Sequence, residues 1–269
     1  MKNKFIDAHS HIHTIDNKLS NKIKDIILLN NFEWHDKALF DNDEYNEDYI
    51  YKSIGIHPNE VNTLINTYGN SIIAVDHIQK ELIEYIEKDN KKNESNFVAL
   101  GESGIDLFRS PNNLIEQMDF LYMHALLAKQ YNKSLIIHAR ACDANHIINA
   151  IKDLINYNIK IQIHSFSLTL KDAKELLNLN CYLSFSGMIT FKNTHLIEIV
   201  EYTPLNNILC ETDCPFLTPV PHRGKENKPE YVSFVYNKIS EIKNIPINNL
   251  QDIVFNNFFH FINRKTNFM

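Results

Sequence analysis

Short apolar runs alternate with longer amphipathic segments along nearly the whole chain. Eight runs of four to seven residues are rich in β-branched and aromatic side chains, a pattern typical of buried strands. These predicted strands are Lys4–His9, Ile26–Leu29, Tyr51–His57, Phe97–Glu102, Ser134–Ala139, Lys160–His164, Tyr182–Ser186 and Asn207–Glu211. The predicted helices are Ile72–Lys88, Asn113–Tyr131, Asp143–Asn156, Thr169–Asn178, Glu230–Lys243 and Leu250–Lys265. Apolar strands that alternate with helices predict a parallel α/β sheet covered on both faces.

The number of these strand–helix units predicts a (β/α)8 TIM-type barrel rather than an open, doubly wound sheet. A chain of 269 residues fits one large domain, and we interpret residues 1–269 as a single barrel domain. The second strand has the weakest pattern, and the segment between His11 and Gly55 is short and polar. We therefore expect the barrel to be irregular around its second strand.

Composition and charge narrow the classes of function. A formal net charge of −6 argues against an extended basic surface that grips duplex DNA, but it permits a nucleic-acid end held by metal ions and a few arginines. The four cysteines form no paired framework, which indicates a reducing compartment. Because the first predicted strand begins within a few residues of Met1, we expect no signal peptide, and no apolar run approaches the ~18 residues of a membrane span. We expect a cytoplasmic monomer with no membrane association and no obligate protein partner.

Histidine and carboxylate residues recur at the ends of the predicted strands. His9 and His11 stand two residues apart, so their side chains point to the same side of the first strand. The later strands end with further residues of the same types, namely Glu102, His138, His164 and Asp213. In a barrel these ends share one rim. Any one of these histidines is commonly a hydrogen-bonded core residue, but six ligand-type residues in one register predict a metal site.

Six protein ligands exceed what one catalytic ion usually takes, because such an ion keeps a position open for water or substrate. Two ions that share a carboxylate use such a set naturally. The sequence motifs of other enzyme classes are absent. There is no Gly-x-Gly-x-x-Gly or Walker loop for a nucleotide, and Gly101-Glu102-Ser103-Gly104 is one residue short of a nucleophile elbow. The residues therefore favour a two-ion metal centre.

With these motifs in view, the sequence resembles the TatD-type metal-dependent deoxyribonucleases, a branch of the amidohydrolase-like barrels. The matching motifs run from end to end: Asp7-Ala8-His9-Ser10-His11, Gly55-Ile56-His57-Pro58, Gly101-Glu102-Ser103-Gly104-Ile105-Asp106, Ile137-His138-Ala139-Arg140, His164-Ser165-Phe166-Ser167, Glu211-Thr212-Asp213-Cys214-Pro215-Phe216-Leu217-Thr218-Pro219, and Arg223-Gly224-Lys225 with Asn227, Pro229 and Tyr231. The segment from Thr14 to Lys52 resembles the family little. Cys214, Glu226 and Lys228 also depart from its usual pattern.

The resemblance implies hydrolysis of phosphodiester bonds with two divalent ions, often from a 3′ end. It implies that His9, His11 and Asp213 hold one ion, that His138 and His164 hold the other, and that Glu102 bridges them. Asp213 and Glu102 would be the catalytic residues, with Asp213 orienting or deprotonating the attacking water. The substrate phosphate would lie by His57, Arg140 and Arg223. Asp7 belongs to the first motif either as a weak ligand or as a supporting partner.

The function that these inferences favour is a 3′–5′ exodeoxyribonuclease acting on single-stranded DNA ends. An ester or amide hydrolase, for instance one that acts on D-aminoacyl-tRNA, is the alternative, because the same site could cleave either bond. A binding barrel without catalysis is disfavoured, since the ligand set is intact. The ions would be magnesium, manganese or zinc; imidazoles favour zinc or manganese, whereas carboxylates also suit magnesium.

Overall fold

The computed structural model describes residues 4–15, 21–92, 95–154 and 157–264. Its sheet has eight parallel strands in the order β1 to β8. They are β1 Phe5–Ser10, β2 Ile26–Glu33, β3 Ile50–Gly55, β4 Phe97–Asp106, β5 Ser134–Arg140, β6 Ile161–Ile163, β7 Tyr182–Phe185 and β8 Ile208–Cys210. Past the end of β8 the chain returns to β1, where Asp213 N donates to the His9 carbonyl oxygen at 2.9 Å and His11 N to that of Cys214 at 2.8 Å. These bonds bring the two edges of the sheet together in a nearly closed barrel.

The helices are α1 Val61–Tyr68, α2 Ser71–Asn90, α3 Leu114–Gln130, α4 Ala144–Leu154, α5 Leu170–Asn178, α6 Leu196–Tyr202, α7 Val232–Lys243 and α8 Ile247–Phe261. Local sequence fixes where several begin: the Asn70 side chain accepts from Ile73 N at the start of α2, and Thr169 and Asp172 form a reciprocal capping box at α5. The strands supply the buried core, and all ten residues of β4 are buried. The alternation of strands and helices confirms the predicted TIM-type barrel.

Two short helices, α1 and α6, were not predicted from the sequence. Two predicted helices extend beyond the described residues. The helix predicted over 143–156 does so at residues 155 and 156, and the helix predicted over 250–265 does so at residue 265. The second strand is longer than predicted, and its pairing with β3 runs unbroken from Leu28 to Glu33. Register shifts occur between β1 and β2, but also between β3 and β4 and between β4 and β5. The expected irregularity is therefore not confined to the second strand.

The prediction that β4 ends at Glu102 is wrong. The strand continues to Asp106 and pairs with β5 from Ser103 to that residue, after a register shift past Leu100. Gly101 and Gly104 make this pairing possible, because both have positive φ and a Cβ on either would clash with a carbonyl oxygen of β5. Glu102 therefore lies in mid-strand. In the part of the chain that the structure describes, no helix is both long and apolar enough to cross a membrane.

Candidate metal centre

The carboxylate of Glu102 is the centre of the cluster at the carboxyl ends of the strands. Its Oε2 lies 3.2 Å from His9 Nε2 and 3.8 Å from His11 Nε2. Its Oε1 lies 2.5 Å from His138 Nδ1 and 2.8 Å from His164 Nε2. The two oxygens thus face two separate pairs of imidazoles, and the side chain is almost wholly buried between them. The structure brings these five sequence-predicted residues together.

The first pair of imidazoles shares its side of Glu102 with Asp213. Asp213 Oδ1 lies 3.5 Å from His11 Nε2 and 3.9 Å from His9 Nε2. Asp213 follows β8 by three residues and has φ of 55°, a left-handed conformation that its bond to the His9 carbonyl helps to hold. His9, His11 and Asp213 form one of the clusters whose ligand atoms are close enough to bind a single ion. We call this set the β1–β8 half of the centre.

The second pair consists of His138 on β5 and His164, which follows β6 by one residue. His138 Nδ1 and His164 Nε2 lie 3.1 Å apart, on either side of Glu102 Oε1. The outer nitrogen of each ring faces a carboxylate, since His138 Nε2 is 3.3 Å from Asp106 Oδ2 and His164 Nδ1 is 3.4 Å from Glu211 Oε1. We call these two histidines the β5–β6 half.

The outer contacts determine which ring nitrogen faces the centre. His11 Nδ1 donates to the Asn31 carbonyl oxygen at 2.9 Å, so its Nε2 is directed inward, toward Glu102 and Asp213. Asp106 and Glu211 similarly face the outer nitrogens of His138 and His164, at charge-pair distances, so the other nitrogen of each ring faces Glu102. His9 Nδ1 is buried with no hydrogen-bond partner among the described residues, while its Nε2 lies 3.3 Å from that of His11. Imidazole nitrogens and carboxylate oxygens that converge this closely are the donor set that suits a divalent metal.

His57 has the opposite arrangement. Its Nδ1 accepts a hydrogen bond from Asn59 N at 3.0 Å, so the proton is on Nε2, which lies 3.4 Å from Glu102 Oε1. Although His57, Glu102 and His138 are close enough to hold an ion, a protonated Nε2 is a donor and not a ligand. This tautomer suits the sequence-based prediction that His57 contacts substrate.

The pKa values of these groups show how strongly the charges interact. Burial favours a neutral Glu102, but His164 and His57 outweigh it and hold the pKa of this carboxyl well below its usual range. Burial likewise opposes charge on His11, yet Asp213 and Glu102 raise its pKa to about 9. Burial and the charge of His164 lower the pKa of His9. The carboxylates remain ionised at neutral pH and make the centre attractive to cations.

A cavity of about 500 Å³ opens onto the centre. Its lining includes His11, His57, Glu102, His138, His164, Asp213 and Arg140. Arg140 is exposed, and its guanidinium lies 4.4 Å from the ring centroid of Phe108, which is outside the lining. Arg223 does not line the cavity; its guanidinium stacks on Phe191 at 3.8 Å. The structure therefore places two of the three predicted substrate contacts in the cavity wall.

The carboxylate of Asp7 bonds to Thr212 and lies outside the cluster around Glu102. Its carboxylate accepts hydrogen bonds from Thr212 N at 2.8 Å and Thr212 Oγ1 at 2.6 Å, which ties β1 to the segment after β8. Burial raises the pKa of Asp7 well above its usual range. Cys214 is fully buried, and burial likewise raises the pKa of its thiol. Neither side chain belongs to a cluster that could hold an ion among the described residues.

Sequence reasoning assigned no role to Asp106, Glu211, Asn31 or Glu33. Asp106 and Glu211 lie within motifs that the sequence shares with the TatD family. That position could have marked them as partners of the histidines. Asn31 and Glu33 lie on β2, whose sequence resembles the family little. Glu33 lines the cavity, and burial raises its pKa. Only the fold brings these two residues to the centre.

Comparison with known proteins identifies the family. The family model described as TatD related DNase matches residues 6–263. "Uncharacterized metal-dependent hydrolase BU355" of Buchnera aphidicola is 31% identical over 273 residues, which cover 94% of this chain and 97% of that protein. "Uncharacterized metal-dependent hydrolase YabD" of Bacillus subtilis is 33% identical over 215 residues, covering 78% of this chain and 76% of YabD.

Solved structures agree on the fold. The crystal structure of YJJV, a TatD homolog from Escherichia coli K12, matches with a TM-score of 0.80 at 22% identity, covering 98% of this chain and 100% of that one. A TatD family hydrolase from Entamoeba histolytica matches with a TM-score of 0.75 at 19% identity, covering 97% of this chain and 98% of that one. The family model, which spans nearly every described residue, and the Buchnera relative show that the chain belongs to the TatD family of metal-dependent hydrolases.

Proposed function

We propose that this hydrolase cleaves phosphodiester bonds in nucleic acid with two divalent ions, as a 3′–5′ exodeoxyribonuclease on single-stranded ends. The division of the Glu102 carboxylate carries the proposal. One oxygen faces His9 and His11 while the other faces His138 and His164, all at 2.5–3.8 Å. A carboxylate with an imidazole pair on each side is the arrangement that two neighbouring ions require.

In this proposal His9, His11 and Asp213 hold one ion and His138 and His164 the other, with Glu102 between them. When bound, the ions supply Lewis-acid polarisation of the phosphate and acidify water near neutral pH. The imidazoles favour zinc or manganese over magnesium in affinity. The protein's own contribution is to hold the rings around the shared carboxylate, His11 through the Asn31 carbonyl and His138 and His164 through the carboxylates behind them.

Asp213 is the proposed general base. Its side chain lines the cavity and is only slightly exposed. Despite burial, the hydrogen bond from His11 and the charges of the neighbouring histidines lower the pKa of Asp213, so it is ionised at neutral pH. An ionised carboxylate beside the cavity orients the attacking water and accepts its proton.

The cavity wall supplies donors for the phosphate. His57 presents a protonated Nε2, and Arg140 presents a planar fork of N–H groups that matches phosphate oxygens. Arg223, stacked on Phe191, would contact a phosphate farther along the strand. A net charge of −6 leaves these few cations to hold a strand end instead of a long duplex. The 3′ polarity rests on the family resemblance, and the unpaired cysteines support action in the cytoplasm.

The test is digestion of single-stranded DNA labelled at either end, with Mg²⁺, Mn²⁺ or Zn²⁺ added to metal-free protein. We expect stepwise shortening from the 3′ end, dependent on the metal and lost in Glu102→Ala. D-aminoacyl-tRNA serves as the second substrate under the same conditions. Deacylation without DNA cleavage would overturn the nuclease proposal, and DNA cleavage that survives in Glu102→Ala would exclude this site as its source.

A further inference from the structure

We propose that two exposed phenylalanines, Phe216 and Phe108, stack on the bases on either side of the scissile phosphate. This inference deepens the proposed nuclease function and rests on it. The two rings would accept only nucleotides whose base faces are free, since the bases of a duplex are already stacked and paired. Selectivity for unpaired ends would then come from these side chains and not from the metal centre.

Phe216 stands beside the β1–β8 half of the centre. It follows Asp213 by three residues, lines the cavity and is 56% exposed. Its ring is roughly perpendicular to that of His11, with the two centroids 6.2 Å apart, and more than half of its surface is exposed. Its backbone is fixed at both ends, because Phe216 N donates to the Asp213 carbonyl at 2.9 Å and Asn227 Nδ2 donates to the Phe216 carbonyl at 2.6 Å. A well-held backbone with an exposed ring makes a preorganised stacking platform.

Phe108 stands beside the β5–β6 half of the centre. It is 67% exposed, and its backbone N–H donates to Asp106 Oδ1 at 2.9 Å, which places it next to the partner of His138. The Arg140 guanidinium lies over one face of the Phe108 ring, at 4.4 Å from the centroid. Arginine planes stack on bases as aromatic rings do, so the pair offers two adjoining surfaces of the right kind.

The topology places these two platforms on opposite sides of the barrel: Phe216 lines the cavity itself, and Phe108 adjoins it through Arg140. Phe216 follows β8 and Phe108 follows β4, and these strands are four positions apart in a barrel of eight. The centre lies between them, with Asp213 next to one ring and Asp106 next to the other. A phosphodiester held at the centre therefore has one nucleoside directed toward each ring.

A double-mutant-type cycle tests the inference by removing the aromatic side chain from the protein, the base from the DNA, or both. The variants are Phe216→Leu and Phe108→Leu, which keep an apolar side chain but remove the aromatic face. Tyr202→Leu is the matched control, because Tyr202 is a half-exposed aromatic residue at the end of α6, just before β8 begins, and so lies toward the opposite end of the barrel from the centre. Each protein is assayed on a single-stranded oligonucleotide and on the same oligonucleotide with abasic residues on both sides of the terminal scissile bond. Melting curves confirm that each variant is folded.

We expect each phenylalanine variant to lose about tenfold in kcat/KM on the normal strand, the loss expected for one stacked base. On the abasic strand the wild-type enzyme is already slow, and the variants should lose little more, because the partner base is absent. Tyr202→Leu should match the wild type on both strands. Equal losses on both strands would overturn the stacking role, as would full activity of both variants.

A small diester, bis(p-nitrophenyl) phosphate, separates this inference from the proposed function. If the metal-loaded wild type cleaves the diester and the oligonucleotide but shows no dependence on the flanking bases, stacking is overturned and the phosphodiesterase function stands. If it cleaves neither substrate with any of the three metals, both the function and the inference are overturned.

Discussion

The two halves of the candidate centre are held in place by different means. In the β1–β8 half, backbone hydrogen bonds position the residues: Asp213 N bonds to His9, and the Asn31 carbonyl accepts from the His11 ring. In the β5–β6 half, each imidazole is backed by a buried carboxylate, Asp106 for His138 and Glu211 for His164. The first half therefore depends on closure of the barrel, and the second on electrostatics.

This difference has a chemical consequence. A carboxylate behind an imidazole makes the ring more basic and a better electron donor than a carbonyl does. In the β5–β6 half, carboxylates raise the pKa of both His138 and His164 despite burial. In the β1–β8 half the two directions differ, since burial lowers the pKa of His9 while Asp213 and Glu102 raise that of His11. We expect the ion of the β5–β6 half to respond strongly to loss of a supporting carboxylate, and the other ion to respond weakly.

The largest effect should come from Glu102→Gln, because this residue belongs to both halves. An amide has no charge to share and would leave the two groups of histidines without a common anion. We expect kcat to fall by at least about 10³-fold, with loss of bound metal from both halves. Metal analysis of dialysed protein, alongside the nuclease assay, checks this outcome. A variant that kept two ions and normal turnover would show that the halves do not depend on the shared carboxylate.

The two halves differ most clearly when the metal affinities of Asp106→Asn and Asp7→Asn are compared. Loss of the charge behind His138 should cost about 10–100-fold in metal affinity or activity. Asp7 is also buried, but it bonds to Thr212 and not to a ring, and its raised pKa favours the neutral form that Asn mimics. We therefore expect Asp7→Asn to change metal affinity less than about threefold, well below that supporting-carboxylate range. Calorimetric titration of Zn²⁺ into both metal-free variants measures the difference, and equal losses would contradict the account.

Replacing Arg140 tests whether the cavity wall, outside both halves of the centre, binds the substrate phosphate. Lysine keeps the charge but loses the planar fork and the stacking on Phe108, so Arg140→Lys should lower kcat/KM by about tenfold, mainly through KM. Metal content should not change. Steady-state assays over a range of DNA concentrations separate the two parameters, and Arg223→Lys under the same conditions compares the residue that lies outside the cavity. If Arg140→Lys left KM unchanged, its assignment to the phosphate would be wrong.

The smallest effect on turnover should come from His124, a buried histidine of α3 outside the centre. Its Nε2 accepts from Ile56 N at 3.1 Å and its Nδ1 donates to the Phe120 carbonyl at 2.7 Å, so the folded state holds it neutral. Burial lowers its pKa to about 4, below the ordinary value of 6.5. The unfolded chain then binds more protons between these values, and stability is lost as pH falls from 6.5 toward 4.

His124→Gln should flatten that pH dependence while lowering stability at neutral pH. The full effect of His124 corresponds to about 3 kcal/mol of unfolding free energy at acid pH. Urea melts of the metal-free wild type and variant, at intervals from pH 7 to 4, compare the two slopes. A variant whose stability falls as steeply as that of the wild type would show that other groups control acid unfolding.

The sequence predicted the parts of the molecule that local pattern determines. Buried strands such as β5 leave a clear apolar run, and the predicted ligands stand at or just beyond such runs, as His138 and His164 show. Helices of seven or eight residues leave too few turns for a periodic pattern, so α1 and α6 were missed. The end of β4 was misplaced because Gly101 and Gly104, which normally interrupt strands, here allow close pairing with β5.

What the sequence could not supply is the relation between distant residues. The bonds that link Asp7 to Thr212 and His11 to Asn31 join segments that only the closed barrel brings together. The tautomer of His57 depends on a single backbone N–H, that of Asn59, and motif spacing carries no information about it. The residues that converge on the centre were therefore predictable, whereas the contacts that support each of them required the structure.

The central claim is that Glu102 bridges two ions, and anomalous diffraction from crystals loaded with Mn²⁺ or Zn²⁺ tests it most directly. The account predicts two anomalous peaks about 3.5–4 Å apart, one on each side of the Glu102 carboxylate. The first should touch His9, His11 and Asp213, and the second His138 and His164. A single peak at full metal loading, or two peaks of which one does not contact Glu102, would contradict it.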